Sequence, residues 1–363
     1  MDETKCKSSD KTNQCKQKEN KYTKSTKREE KINSKDNEKS KDSEKPKGKS
    51  KDDDKSKDIE KSVDDEVERL FKAMNGLGTD EQTVIDVIVT KKNQQRQEIR
   101  QKYKERYNKD VMSDLKSELS GDLQEVILGL MMTPSEYDVD CLHEAMSGMG
   151  TDESMLIGIL ATRTPEEIKT IKDQYKIEYK KDLEKNIKSE TSGDFKELLL
   201  ELVKGQRPQG DKIEEKISED EAKKLNKNGK GKLDKKHFKS IFTKYNNKQV
   251  PAIFEVYKKI SDKDVLELIE ENMKGDVKNG YICLVKSYED PVDYYVERLH
   301  GAFDGIGTND SRLIRISVSR SEIDLAGIKQ KYKENYGKSL NEEIKSECSG
   351  DYKTALLLLV GEE

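Results

Sequence analysis

Apolar positions along residues 61–363 recur with helical spacing and predict amphipathic helices. The last segment of the successive units places apolar residues at i, i+3, i+4 and i+7, which puts them on one helical face. The examples are Leu123, Val126, Ile127 and Leu130; Phe195, Leu198, Leu199 and Leu202; and Tyr352, Ala355, Leu356 and Leu359. Strand-like alternation is absent from the sequence, so the predicted fold class is all-α.

The same landmarks return four times, which predicts four structural repeats. A Gly-x-Gly-Thr phrase begins at Gly76, Gly148 and Gly305, and the second interval is about twice the first. A fourth, degenerate unit must therefore lie between the second and third phrases. Each unit reads as about five short helices. The predicted boundaries are 61–133, 134–204, 205–290 (with its linker) and 291–363.

Composition separates residues 1–60 from the remainder. This tail holds 19 Lys/Arg and 15 Asp/Glu residues with almost no aliphatic side chain. Such a segment buries too little apolar surface to offset its chain entropy, so we expect a disordered, lysine-rich tail. The remaining 303 residues hold 51 basic and 59 acidic side chains, an excess of negative charge that argues against nucleic acid as the main partner.

Other function classes find little support. No signal peptide and no apolar run of about 20 residues is visible, so we expect a cytoplasmic protein that meets membranes only peripherally. The five cysteines lack metal-ligand spacing and are expected to be reduced. Only three histidines occur, His143, His237 and His300, and none accompanies a nucleophile. We therefore expect no enzymatic activity.

The glycine phrases predict cation sites made entirely of oxygen ligands. Each phrase is followed, forty residues after its second glycine, by a glutamate. A glycine-rich loop turns several backbone carbonyls toward one point, and a carboxylate supplies charge, which suits calcium. The predicted ligands are the carbonyls of Met74, Gly76 and Gly78 with the Glu118 carboxylate; Met146, Gly148 and Gly150 with Glu190; and Phe303, Gly305 and Gly307 with Glu347.

Three carbonyls and one carboxylate leave coordination positions open for water or for a phosphate oxygen of a lipid. The residue between the two glycines is apolar in all three copies: Leu77, Met149 and Ile306. At a loop tip such a side chain is predicted to enter the bilayer interface. The threonine that ends the first two phrases, Thr79 or Thr151, is predicted to cap the following helix.

The third repeat departs from this pattern. By an 82-residue offset from repeat 2, Asn228, Lys230 and Lys232 replace the loop ligands and Asn272 replaces the glutamate. Glu271, one residue away, is an alternative ligand. The repeat is otherwise expected to be structural, or to bind anionic headgroups through its lysines.

The phrases Met74-Asn75-Gly76-Leu77-Gly78-Thr79-Asp80, Lys116-Ser117-Glu118-Leu119-Ser120-Gly121-Asp122 and Ser349-Gly350-Asp351-Tyr352 resemble the annexins. The similarity spans residues 63–363. It implies four five-helix repeats in a curved disc and reversible, calcium-dependent binding to acidic phospholipids such as phosphatidylserine. The ligand positions named above match the annexin pattern in repeats 1, 2 and 4, and not in repeat 3.

We therefore expect a non-catalytic protein that binds Ca²⁺ and acidic phospholipid membranes and organises or bridges them. The alternative is a cytoskeletal scaffold on the same fold. Two segments, Lys274-Gly275-Asp276 and Ile314-Arg315-Ile316, are similar to segments linked to actin in some annexins. The sequence leaves oligomeric state open.

Overall fold

The computed structural model describes residues 51–226, 233–305 and 307–362. Within those ranges the chain forms twenty α-helices and no β-strand, which confirms the all-α prediction. Five helices make up each of the four repeats, as predicted. The chain divides between Met131 and Met132 into two compact units, of which the first contains repeat 1 and the second contains repeats 2 to 4.

The first unit contains five helices, of which the first is much longer than the sequence suggests. They are α1 (Lys51–Met74), α2 (Glu81–Val89), α3 (Asn93–Tyr107), α4 (Val111–Glu118) and α5 (Gly121–Met131). Helix α1 begins inside the span for which we predict disorder. Residues 1–50 of the predicted tail lie outside the described residues.

The second unit contains fifteen helices in three sets of five. Repeat 2 comprises α6 (Pro134–Ala145), α7 (Glu153–Leu160), α8 (Pro165–Tyr179), α9 (Leu183–Glu190) and α10 (Gly193–Val203). Repeat 3 comprises α11 (Glu215–Asn226), α12 (Lys235–Lys244), α13 (Gln249–Ser261), α14 (Val265–Asn272) and α15 (Gly275–Glu289). Repeat 4 comprises α16 (Pro291–Phe303), α17 (Asp310–Arg320), α18 (Leu325–Tyr336), α19 (Leu340–Glu347) and α20 (Gly350–Val360).

The predicted helical stripes form the cores of the repeats. On α5, Val126, Ile127 and Leu130 are buried, and the corresponding residues of α10 are buried as well. The third helix of each repeat adds a buried tyrosine: Tyr103, Tyr175, Tyr257 and Tyr332. Burying one large apolar side chain contributes about 1.5–3 kcal/mol, so this repeated stripe stabilises each repeat from within.

A Ser-Gly-Asp phrase, which reads Lys-Gly-Asp in repeat 3, makes a sharp corner at its glycine in every repeat. Gly121, Gly193, Gly275 and Gly350 all have φ near +60°, in the left-handed region that glycine adopts without a Cβ penalty. Each is the first residue of the fifth helix of its repeat. The corner ends the fourth helix three residues earlier, at Glu118, Glu190, Asn272 or Glu347. The phrase therefore fixes where the predicted carboxylate ligand stands.

No helix among the described residues is both long enough and apolar enough to cross a bilayer.

Candidate calcium sites

The first glycine phrase forms a short loop that is closed by a backbone hydrogen bond at its base. Helix α1 ends at Met74 and α2 begins at Glu81. The Asp80 amide donates to the Ala73 carbonyl across the loop at 2.9 Å. The same bond recurs in repeats 2 and 4, from Asp152 to Ala145 at 2.9 Å and from Asn309 to Ala302 at 2.8 Å. The three loops therefore share one closed frame around the predicted carbonyl ligands.

Most glycines of these loops adopt backbone conformations that disfavour other residues. Five of the six predicted glycine ligands have positive φ: Gly78 (+87°), Gly148 (+112°), Gly150 (+94°), Gly305 (+125°) and Gly307 (+83°). Gly76 does not share this conformation. A Cβ added to any of the six would meet no atom within 4 Å, so the requirement for glycine comes from backbone conformation and not from crowding.

The predicted carboxylates end the fourth helix of their repeats and face solvent. Glu118 is the last residue of α4, Glu190 of α9 and Glu347 of α19, and all three are exposed. In repeat 1 the Thr79 hydroxyl donates to Glu118 Oε2 at 2.8 Å. In repeat 2 the Thr151 hydroxyl donates to the Glu190 carbonyl at 3.0 Å. In both repeats the loop and the glutamate, 39 residues apart, are therefore neighbours.

The threonines are not helix caps, and that prediction was wrong. The capping residues are Asp80, Asp152 and Asn309, one position later. Each accepts from the amide three residues on: Thr83 at 3.0 Å, Met155 at 2.8 Å and Arg312 at 3.0 Å. The hydrogen bonds from Thr83 also lower the pKa of Asp80. Aspartate and asparagine are strong N-capping residues and take the N-cap position here. The Thr79 and Thr151 hydroxyls bond to the glutamate of their repeat instead.

The loop tips present apolar side chains fully to solvent. The exposed fraction is 110% for Leu77 and 107% for Met149, the highest values among the large exposed apolar residues of the described chain. Ile306 lies outside the described residues. An apolar side chain with no protein neighbour gains only by meeting another apolar phase, so these tips are suited to membrane contact.

Repeat 3 replaces the predicted ligand geometry with a direct hydrogen bond. Asn272 ends α14 at the glutamate position, and its Oδ1 accepts from the Leu233 amide at 3.0 Å. Glu271, the alternative ligand, forms an ion pair with Lys263 at 2.6 Å. The loop positions Asn228, Lys230 and Lys232 lie outside the described residues. Asn272 was identified from sequence only as a missing carboxylate, and its bond to the loop was not foreseen.

Other metal-binding chemistry is not evident in the described residues. No group of three or more His, Cys, Asp or Glu side chains there is arranged to hold a metal ion. His143 and His300 instead stack on Tyr179 and Tyr336, with ring centroids 3.6 and 3.7 Å apart. The predicted calcium ligands differ from such a cluster, because they are backbone carbonyls with one carboxylate per loop. The glycine conformations and the adjacent carboxylate fit the flexible, oxygen-rich shell that calcium prefers.

Comparison with known proteins agrees with this architecture. A family model for annexins matches residues 64–130, 137–202, 220–284 and 294–359, each within one repeat. Annexin A13 of Canis lupus familiaris is 40% identical over 299 residues, which cover 82% of this chain and 95% of the relative. Annexin A4 of Sus scrofa is 41% identical over 299 residues, covering 82% and 94%.

Solved structures show the same likeness. Annexin III superposes with a TM-score of 0.80 at 37% identity, covering 83% of this chain and 94% of that one. A calcium-bound annexin (Sm)1 superposes with a TM-score of 0.73 at 33% identity, covering 83% and 90%. The chain therefore belongs to the annexin family, whose members bind phospholipids in a calcium-dependent way and are generally not enzymes.

Proposed function

We propose that this protein binds acidic phospholipid membranes of the phosphatidylserine type when calcium occupies the loops of repeats 1, 2 and 4. The observation that carries the proposal is the pairing of two features in one loop. A fully exposed apolar tip, Leu77 or Met149, stands between two glycines, and the threonine that follows them contacts a solvent-facing glutamate. A phospholipid membrane offers both an apolar phase for the tip and phosphate oxygens for the ion.

Each loop would hold calcium through few protein ligands. In repeat 1 these are the carbonyls of Met74, Gly76 and Gly78 with the carboxylate of Glu118. The equivalent sets are Met146, Gly148, Gly150 and Glu190 in repeat 2, and Phe303, Gly305, Gly307 and Glu347 in repeat 4. Calcium takes six to eight oxygens, so part of its shell remains for water or for a lipid phosphate oxygen. Affinity for calcium should therefore rise when an acidic lipid is present.

Three weak sites on one chain together bind a membrane more tightly than any one site alone, while each contact stays reversible. Linked sites convert later binding events into intramolecular ones, which raises avidity without new contacts. Two of the three, in repeats 2 and 4, belong to one compact unit. The calcium-bound state of the 33%-identical annexin (Sm)1 supports calcium as the ion. The proposed role is peripheral association that organises or bridges bilayers.

The test is sedimentation of the purified full chain with phosphatidylserine vesicles in millimolar calcium and in chelator. We expect protein in the pellet only with calcium, and little with phosphatidylcholine vesicles. A folded protein, judged by helical circular dichroism, that stays in the supernatant with phosphatidylserine and calcium would refute the proposal.

The alternative role as a cytoskeletal scaffold receives less support. Of the two segments similar to actin-linked sequences, Ile314-Arg315-Ile316 is buried on α17, whereas Lys274-Gly275-Asp276 is exposed. The buried segment offers no surface to a filament while the repeat is folded, so the scaffold role would depend on the exposed one. Retention on the detergent-insoluble cytoskeleton after calcium chelation would favour the scaffold over the membrane-binding role.

A further inference from the structure

Three arginines of repeat 4 gather in the interior of the second unit. Arg298 lies on α16, and Arg312 and Arg315 lie three residues apart on one face of α17. Arg315 is only 5% exposed, and the other two are half-buried. A Cβ on Gly158 would stand 3.3 Å from Arg315 Nη2, so the glycine makes room for this guanidinium.

None of these three guanidinium groups forms an ion pair with a carboxylate in the described part of the chain. Arg298 donates to the Ser154 hydroxyl at 2.5 Å, and its buried Nε has no partner there. Arg312 donates to the Gly301 carbonyl at 2.8 Å. Burial lowers the pKa of Arg312, and the charges of Arg298 and Arg315 lower it further.

Two other arginines of the same unit pair with carboxylates, whereas the half-buried Arg207 bonds instead to the Ala161 and Arg163 carbonyls. Arg163 lies 2.5 Å from a carboxylate oxygen of Asp138, and Arg320 lies 2.7 Å from one of Asp324. Buried charge is costly unless it is paired, and like charges held together add to that cost. The three arginines lie together without a carboxylate ion pair in the described chain, and they adjoin an open space. They are therefore a candidate site for binding an anion.

The open space is a cleft of about 600 Å³ that Arg298 and Arg312 line. Ser154, near the start of α7, and Lys286 of α15 also reach it. The lining also holds four acidic residues, Asp152, Glu153, Asp276 and Glu297, and the charge of Asp152 raises the pKa of Arg312 against the larger effect of burial. Glu297 pairs with Lys286, while Asp152 and Asp276 are exposed. The positive groups thus lie deeper than two of the four acidic ones.

We propose that this cleft is a binding site for a phosphate group. Guanidinium groups bind phosphate through parallel charge-assisted hydrogen bonds. Two guanidinium groups that face one cleft can each bind different oxygens of the same phosphate. The Ser154 hydroxyl, which accepts from Arg298, can donate its own hydrogen to the phosphate, and Lys286 can reach it by leaving its ion pair with Glu297. The phosphate could belong to a lipid headgroup or be free in solution, and the chemistry of recognition is the same. The site needs no calcium and does not rest on the membrane function.

The test is titration calorimetry of the full chain in chelator, at ionic strength held constant with chloride. The probes are inorganic phosphate and glycerophosphoserine, the soluble headgroup ester. We expect saturable binding of one phosphate per chain, weakened roughly tenfold or more by Arg298→Gln or Arg312→Gln. The control is Arg69→Gln, at an exposed arginine that pairs with Glu66 in repeat 1 and should leave binding unchanged.

A structural role gives a different set of results. If the arginines only support the fold, the glutamine variants melt lower without phosphate and the wild type binds none. If they hold phosphate, those variants should melt no lower, because each removes like-charge repulsion. Arg298→Lys and Arg312→Lys keep the charge without the planar fork, and they serve should a glutamine variant fail to fold.

Absence of saturable binding by the wild type below about 10 mM, or equal binding by wild type and arginine variants, would overturn the proposal. Tighter binding of glycerophosphoserine would assign the site to lipid headgroups. Tighter binding of inorganic phosphate would assign it to a free phosphate.

Discussion

Replacing the exposed loop tips should weaken membrane binding without disturbing the fold. Leu77 and Met149 have no burying neighbours, so Leu77→Ala and Met149→Ala leave no cavity and remove no packing. Full burial of such a side chain is worth about 1.5–3 kcal/mol, and partial entry into the interface a fraction of that. We expect each change to cost about 1–2 kcal/mol of membrane binding, or roughly 5- to 30-fold in partition.

The assay is vesicle sedimentation at saturating calcium, so that differences in partition reflect the apolar contact and not ion affinity. Ile323→Ala is the matched control, because Ile323 is 66% exposed but lies outside the three loops. The double variant should lose roughly the product of the two single effects, since the sites are in separate repeats. Equal partition of the double variant and wild type would show that the tips do not enter the bilayer.

Three further changes probe the loops and the scaffold. Gly78→Ala should weaken calcium binding at repeat 1, because a φ of +87° costs an alanine about 1–2 kcal/mol. Gly76 does not have a positive φ, so Gly76→Ala is the control and should have little effect. Calcium titration calorimetry compares the two variants. Asp138→Asn should destabilise the fold by about 3–5 kcal/mol, measured by denaturant unfolding, because it leaves the buried charge of Arg163 unpaired. Asn272→Ala should cost about 1 kcal/mol of stability by the same method and leave the calcium midpoint of vesicle binding unchanged.

Local spacing made most of the fold predictable. The apolar stripes, the four repeats and the five helices of each repeat depend on short-range periodicity, which the sequence displays directly. The neighbourhood of Thr79 and Glu118 was implied by the constant interval between loop and glutamate. These features recur in register, so each copy supports the interpretation of the others.

Details decided by competition or by distant contacts were not predictable in this way. Thr79 and Asp80 can both cap a helix, and sequence alone did not show that the aspartate would do so. The start of α1 at Lys51 had no apolar stripe to mark it. The meeting of Arg298 with Arg312 near Ser154 joins helices from repeats 2 and 4, and no local pattern in the sequence announces such a contact.

The central claim is that calcium is held by loop carbonyls together with one glutamate per site, and that a lipid completes its shell. The most direct measurement is the calcium concentration for half-maximal binding to phosphatidylserine vesicles. Glu118→Gln, Glu190→Gln and Glu347→Gln should each raise this midpoint, and the triple variant should raise it most. A triple variant that folds and binds vesicles at the wild-type midpoint would contradict the account.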